Sequence, residues 1–105
     1  MQINVNTDRN IEGDAELVRE IEAVVRSGLD RFSEQVTRVE VHLSDQNSDK
    51  RFGTQDKRCL LEARLAGLQP ISVSDRAATL KRAVDGAVEK LTRSLDSTLG
   101  RKGRR

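Results

Sequence analysis

In the last third of the chain, Leu80, Val84, Ala87, Val88, Leu91, Leu95 and Leu99 recur at steps of three and four. That spacing places them in one stripe along an α-helix, and a helix with one apolar side must lie on something. The rest of the sequence supplies a sheet for it to lie on. Ile3 and Val5 alternate with Gln2, Asn4 and Asn6, which predicts a half-buried strand over residues 2–7. Val39, Val41 and Leu43 alternate within the segment Val36 to Leu43. Cys59, Leu61, Ala63 and Leu65 do the same within Arg58 to Leu65. Ile71 and Val73 mark a fourth strand, with Pro70 at its start, where a missing N–H costs least.

A second helical stripe, Leu17, Ile21, Val24, Val25, Leu29 and Phe32, lies between the first two strands. Asp14 is its expected N-cap, and Glu16 and Glu20 suit the positive end of its dipole. Gly28 weakens this helix by roughly 1 kcal/mol relative to alanine and would permit close packing there. The element order is therefore β-α-β-β-β-α. The simplest burial is an α+β fold with two helices packed on one face of a four-stranded, mostly antiparallel sheet. The opening β-α-β unit allows a parallel pairing of strands one and two.

The polar stretches are expected to connect these elements. Thr7 to Gly13 and the longer Ser44 to Lys57 read as connections, and Ala66-Gly67-Leu68 as a turn. Ser74 or Asp75 is the expected cap of the last helix, and Gly100 its end. Residues 1–100 then form a single domain, and 101–105 a basic disordered tail. With Phe32 and Phe52 the only aromatic residues, the core must be aliphatic. The chain has no run of 18 apolar residues, and its start, Met1-Gln2-Ile3-Asn4-Val5, does not read as a signal peptide. A cytoplasmic protein is expected, and the lone Cys59 agrees with a reducing compartment.

Enzymatic signatures are missing. The single histidine, His42, sits on a strand with no second ligand nearby in sequence. Cys59 alternates with core residues and reads as a small buried hydrophobe. There is no glycine-rich phosphate loop, no cysteine pair and no H-E-x-x-H. Asp45, Asp49 and Asp56 do not have the spacing of an EF-hand loop. No catalysis, metal, cofactor or small-molecule substrate is expected.

Charge is more informative. Residues 1–56 carry 7 Arg/Lys against 12 Asp/Glu, whereas residues 57–105 carry 12 against 5, a net of −5 in one half and +7 in the other. Such a split gives a small domain a face that can find a polyanion. Lys81, Arg82, Lys90 and Arg93 lie off the apolar stripe of the last helix, and Arg101, Lys102, Arg104 and Arg105 follow it. Lys81 with Asp85 and Glu89 with Arg93 are spaced to pair along the helix, at a few tenths of a kcal/mol each. Phosphate can capture cations held that weakly, and arginine takes phosphate oxygens bidentately. With two aromatic rings in the chain, an RNA partner would be read by shape and backbone and not by stacked bases.

Three segments resemble one family. Ala83-Val84-Asp85-Gly86-Ala87-Val88-Glu89-Lys90-Leu91-Thr92-Arg93-Ser94-Leu95 resembles the second helix of the ribosome hibernation-promoting factor (ribosome-associated translation inhibitor) family in its short form. Met1 to Val5 is similar to the family's first strand, and Leu29-Asp30-Arg31-Phe32 with Val36, Val39 and Val41 to its helix end and second strand. The resemblance implies a fold similar to double-stranded-RNA-binding domains. It also implies a bacterial stress-response factor that binds the small ribosomal subunit and its ribosomal RNA and blocks translation, or stores idle ribosomes, by occlusion. By position, Lys90 and Arg93 match the family's basic residues. Lys81, Arg82, Arg101, Lys102, Arg104 and Arg105 are added to the RNA-binding set on charge alone. The first helix is acidic in its first half where the family's is lysine-rich, and Ala78-Thr79-Leu80 stands where the family carries an acidic-aromatic pair. Two other readings stay open: a general structured-RNA-binding module, and a protein-interaction domain that has lost ribosome binding.

Overall fold

A computed structural model describes residues 1–8, 11, 15–45 and 57–103, with side chains as far as Gly100. The elements are β1 (Gln2–Thr7), α1 (Ala15–Gly28), a 3-10 turn η1 (Asp30–Phe32), β2 (Val36–Asp45), β3 (Lys57–Leu65), β4 (Ile71–Ala77) and α2 (Leu80–Gly103). The expected order and fold class hold. The four strands form one sheet in the order β1-β2-β3-β4. β1 runs parallel to β2, Ile3 opposite Val39, and the other two pairings are antiparallel.

The strand periodicity sets the core. Val39, Val41, Leu43, Cys59, Leu61, Ala63 and Leu65 are all buried on one face of the sheet. Both helices lie on that face, α1 over β1, α2 over β3 and β4, and the helices touch each other. Ile21, Val25, Leu29 and Phe32 on one side, and Ala83, Val84, Ala87, Val88, Leu91 and Leu95 on the other, complete a single aliphatic core. At Gly28 the helices approach closely: a Cβ there would stand 2.5 Å from Cγ1 of Val88. A backbone without a side chain is what that approach requires.

Several boundaries differ from the sequence reading. α1 ends at Gly28, and the chain reaches Phe32 through η1, a tighter turn that carries Leu29 and Phe32 into the core. β2 and β3 extend to Asp45 and from Lys57, so only residues 46–56 of the expected connection remain between them, outside the described residues. β4 runs on through Ala77, so neither Ser74 nor Asp75 caps α2. The cap is Thr79, whose Oγ1 accepts the backbone N–H of Arg82 at 3.2 Å. Finally, α2 passes Gly100 and reaches Gly103. The expected Asp14 cap and residues 104 and 105 lie outside the described residues.

Candidate nucleic-acid interface

Helical geometry fixes where the candidate cations stand. At about 3.6 residues per turn, positions eleven apart fall almost in line. Arg82 and Arg93 are eleven apart and share the outer crest of α2; Lys90 and position 101 share a second line beside it. The two flanks of the helix differ. Asp85 lies toward α1, where it lines a shallow groove with Ala23, Val24, Ser27, Gly28 and Val88. Lys81 reaches Asp85 at 3.5 Å, so it belongs to that flank and stands apart from the others. Lys90 faces the opposite way, toward β4.

Lys90 is the most constrained member of the set. Its Nζ donates to the carbonyl of Ser74 at 2.9 Å and sits 3.2 Å from the carboxylate of Asp75. Asp75 in turn lies against Gly86, one turn earlier on α2; any side chain at Gly86 would run into that carboxylate. Strand, glycine and lysine thus form one small assembly that seats α2 on the edge strand. Arg93 pairs with Glu89 at 3.1 Å, with 71% and 67% of the two side chains exposed, so solvent screens the pair heavily. Arg82 is exposed and makes no side-chain contact with an acidic group among the described residues. Arg101 and Lys102 lie on the helical backbone, but their side chains are outside the described set, as are Arg104 and Arg105 altogether. The structure therefore brings Arg82, Lys90 and Arg93 to one outward sector, with Lys90 held in place and Arg93 weakly engaged.

A second basic surface was absent from the expected set. The sheet face turned away from the helices carries Arg38, Arg58, Arg64 and Arg76. Arg38 stands opposite Arg64, and Arg58 opposite Arg76. Glu40 and Glu62 face each other between them. Glu40 is well satisfied. It accepts hydrogen bonds from Asn4 at 3.0 Å, Asn6 at 3.2 Å and Nε of Arg38 at 2.7 Å. The amide of Asn4, assisted by Arg38 and Asn6, holds its carboxyl below the ordinary range. The strand alternation that predicts the buried positions also predicts these outward ones. What sequence alone does not supply is the register that sets arginine opposite arginine.

Among the described residues, the chemistry these surfaces offer is cationic. Cys59 is fully buried, and burial, with Asp75 nearby, pushes its thiol up to about 12. No cluster of three metal-ligating side chains exists among the described residues. No helix among them is long and apolar enough to cross a membrane.

A family model described as "Sigma 54 modulation protein / S30EA ribosomal protein" matches residues 4–102. No curated protein matches the chain at the sequence level. Among solved structures, the N-terminal domain of Protein Y from Thermus thermophilus superposes with a TM-score of 0.72 at 23% identity, covering 93% of this chain and 99% of that one. A ribosomal subunit interface protein from Coxiella burnetii superposes with a TM-score of 0.71 at 16% identity, covering 95% and 99%. At these identities the likeness is one of fold.

Proposed function

Because the chain belongs to the Sigma 54 modulation protein / S30EA ribosomal protein family, we propose that it is a ribosome-associated factor, and that it binds the small subunit and stops translation by occupying space. The family match over residues 4–102 is the observation that carries this reading. The two structural neighbours agree with it, one being described as a ribosomal subunit interface protein. The geometry supplies a means. Arg82 and Arg93 on the crest of α2 can each present a guanidinium to phosphate oxygens, and each neutralised phosphate releases counterions. The Glu89–Arg93 pair is exposed enough that phosphate can replace the carboxylate at little cost. Lys90, fixed by Ser74 and Asp75, presents its remaining N–H donor capacity from a rigid position. On this reading the small domain acts by being in the way of messenger and transfer RNA, with no bond made or broken.

One observation favours a second reading. Lys81, Lys90 and Arg93 all have carboxylate partners, which a protein-interaction domain without RNA affinity would also show. A reconstituted bacterial translation reaction separates the two. Under the first reading, excess protein lowers the yield, and small subunits preloaded with messenger and transfer RNA are protected. Undiminished yield at saturating protein contradicts it.

A further inference from the structure

The face of the sheet that no helix covers bears the arrangement least explained by folding alone. Arg58 and Arg76 are direct partners across β3 and β4, both on that face. Side chains so placed have Cβ atoms about 4.5–5.5 Å apart, and like charges there oppose the strand pairing. Neither arginine forms an ion pair among the described residues. The next row toward the middle of the sheet is Asn6, His42, Leu60 and Ser74, and Ser44 stands opposite Arg58. Continued by one residue, the β1–β2 register brings Asp8 beside Ser44, two strands from Arg58, with its Oδ2 accepting the backbone N–H of Asp45 at 3.4 Å; no other carboxylate belongs to either row. The other acidic residues of this face, Glu40 and Glu62, are one row further on, and Glu40 is already engaged by Arg38, Asn4 and Asn6.

We propose that Arg58 and Arg76 form a second phosphate-contact site for RNA, on the face opposite the helices, so that the domain grips folded RNA on two sides. This rests on the ribosome-associated reading above and extends it to a surface that reading does not use. Two forks side by side match the oxygens of a phosphodiester, and the serine hydroxyls of Ser44 and Ser74 add neutral donors within the same rows. Among the described residues this face has no Phe, Tyr or Trp and its one ring is the imidazole of His42, so it is suited to backbone more than to stacked bases. Charge repulsion within the pair makes a further claim. The arrangement is unfavourable in the free protein and is relieved by the anion.

The test uses the intact chain and its Arg58→Gln and Arg76→Gln variants, with small ribosomal subunits and a short RNA hairpin as probes. Each variant is expected to keep or raise the melting temperature. Each should also weaken small-subunit binding at low salt by roughly tenfold and reduce the slope of log K against log salt by about 1. Amide resonances of Arg58, Leu60, Ser74 and Arg76 are expected to shift on adding the hairpin. Unchanged affinity and slope, or shifts confined to α2, overturn the inference while leaving the ribosome reading intact. If the wild-type chain ignores ribosomes yet the hairpin shifts the β3–β4 resonances, the ribosome reading fails and this site stands. Shifts produced by poly-glutamate and not by the hairpin assign the face to an acidic protein and overturn it.

Discussion

A single glycine decides how α2 meets the sheet. Gly86 leaves room for the carboxylate of Asp75, which in turn holds Lys90. In an ordinary helix interior, alanine is favoured over glycine by about 1 kcal/mol. Here Gly86→Ala is expected to lose that advantage and destabilise the protein by about 1–3 kcal/mol, because Asp75 must be displaced. Gly100→Ala, with nothing within 4 Å of the added carbon, should instead be neutral or stabilising. Denaturant titration of the two variants reads opposite signs, and the same sign for both would contradict the packing described. The role of Gly86 was not legible in the sequence. Asp75 reads there as a helix cap, since aspartate before an apolar-periodic run is a start signal. It became a strand residue because β4 is an edge, where a charged side chain is tolerated and here finds a lysine.

Between elements, the periodic apolar residues were fully readable, and the polar clasps were not. The stripes of α1 and α2 and the alternation of β2 and β3 name nearly the whole core, because burial of one face leaves little choice of register. No spacing rule links Arg31 to Asp96. Yet the two form a bidentate pair at 2.8 and 3.0 Å that ties η1 to α2, with Arg31 also 4.2 Å over the ring of Phe32. The hydrogen bonds from Arg31 hold the Asp96 carboxyl below its ordinary value, as Asn4 and Arg38 do for Glu40 between β1 and β2. A carboxylate whose folded-state pKa is depressed contributes stability above its unfolded pKa and loses it as pH falls through the folded value. The melting temperature is therefore expected to drop on acidification below about pH 4, where free carboxyls begin to protonate. Asp96→Asn with Glu40→Gln should make that fall shallower, and an equally steep profile in the double variant would contradict the linkage.

Across the whole molecule, the acidic and basic halves of the sequence become a more specific arrangement. Asp85 lies on α2 toward α1 and Asp96 reaches Arg31 of η1, while Arg82 and Arg93 face outward, Arg93 beside Glu89, and Lys90 faces β4. Around that edge, Arg58 and Arg76 continue the positive surface onto the bare face of the sheet. The net charge of each half predicts that a basic side exists, but the sheet arginines join it only through folding. The pairing of Lys90 also changes which substitutions are informative. Lys90→Glu would set a second carboxylate against Asp75 and damage the fold together with any binding. Arg82 and Arg93 can be reversed without touching the core. The most direct measurement is sedimentation of the chain with small ribosomal subunits across a salt series, for the wild type and for Arg82→Glu with Arg93→Glu. The account predicts that the wild type travels with the subunit at low salt, dissociates steeply as salt rises, and binds at least tenfold more tightly than the variant. A wild-type chain that stays at the top of the gradient, or a variant that binds as well at every salt concentration, contradicts it.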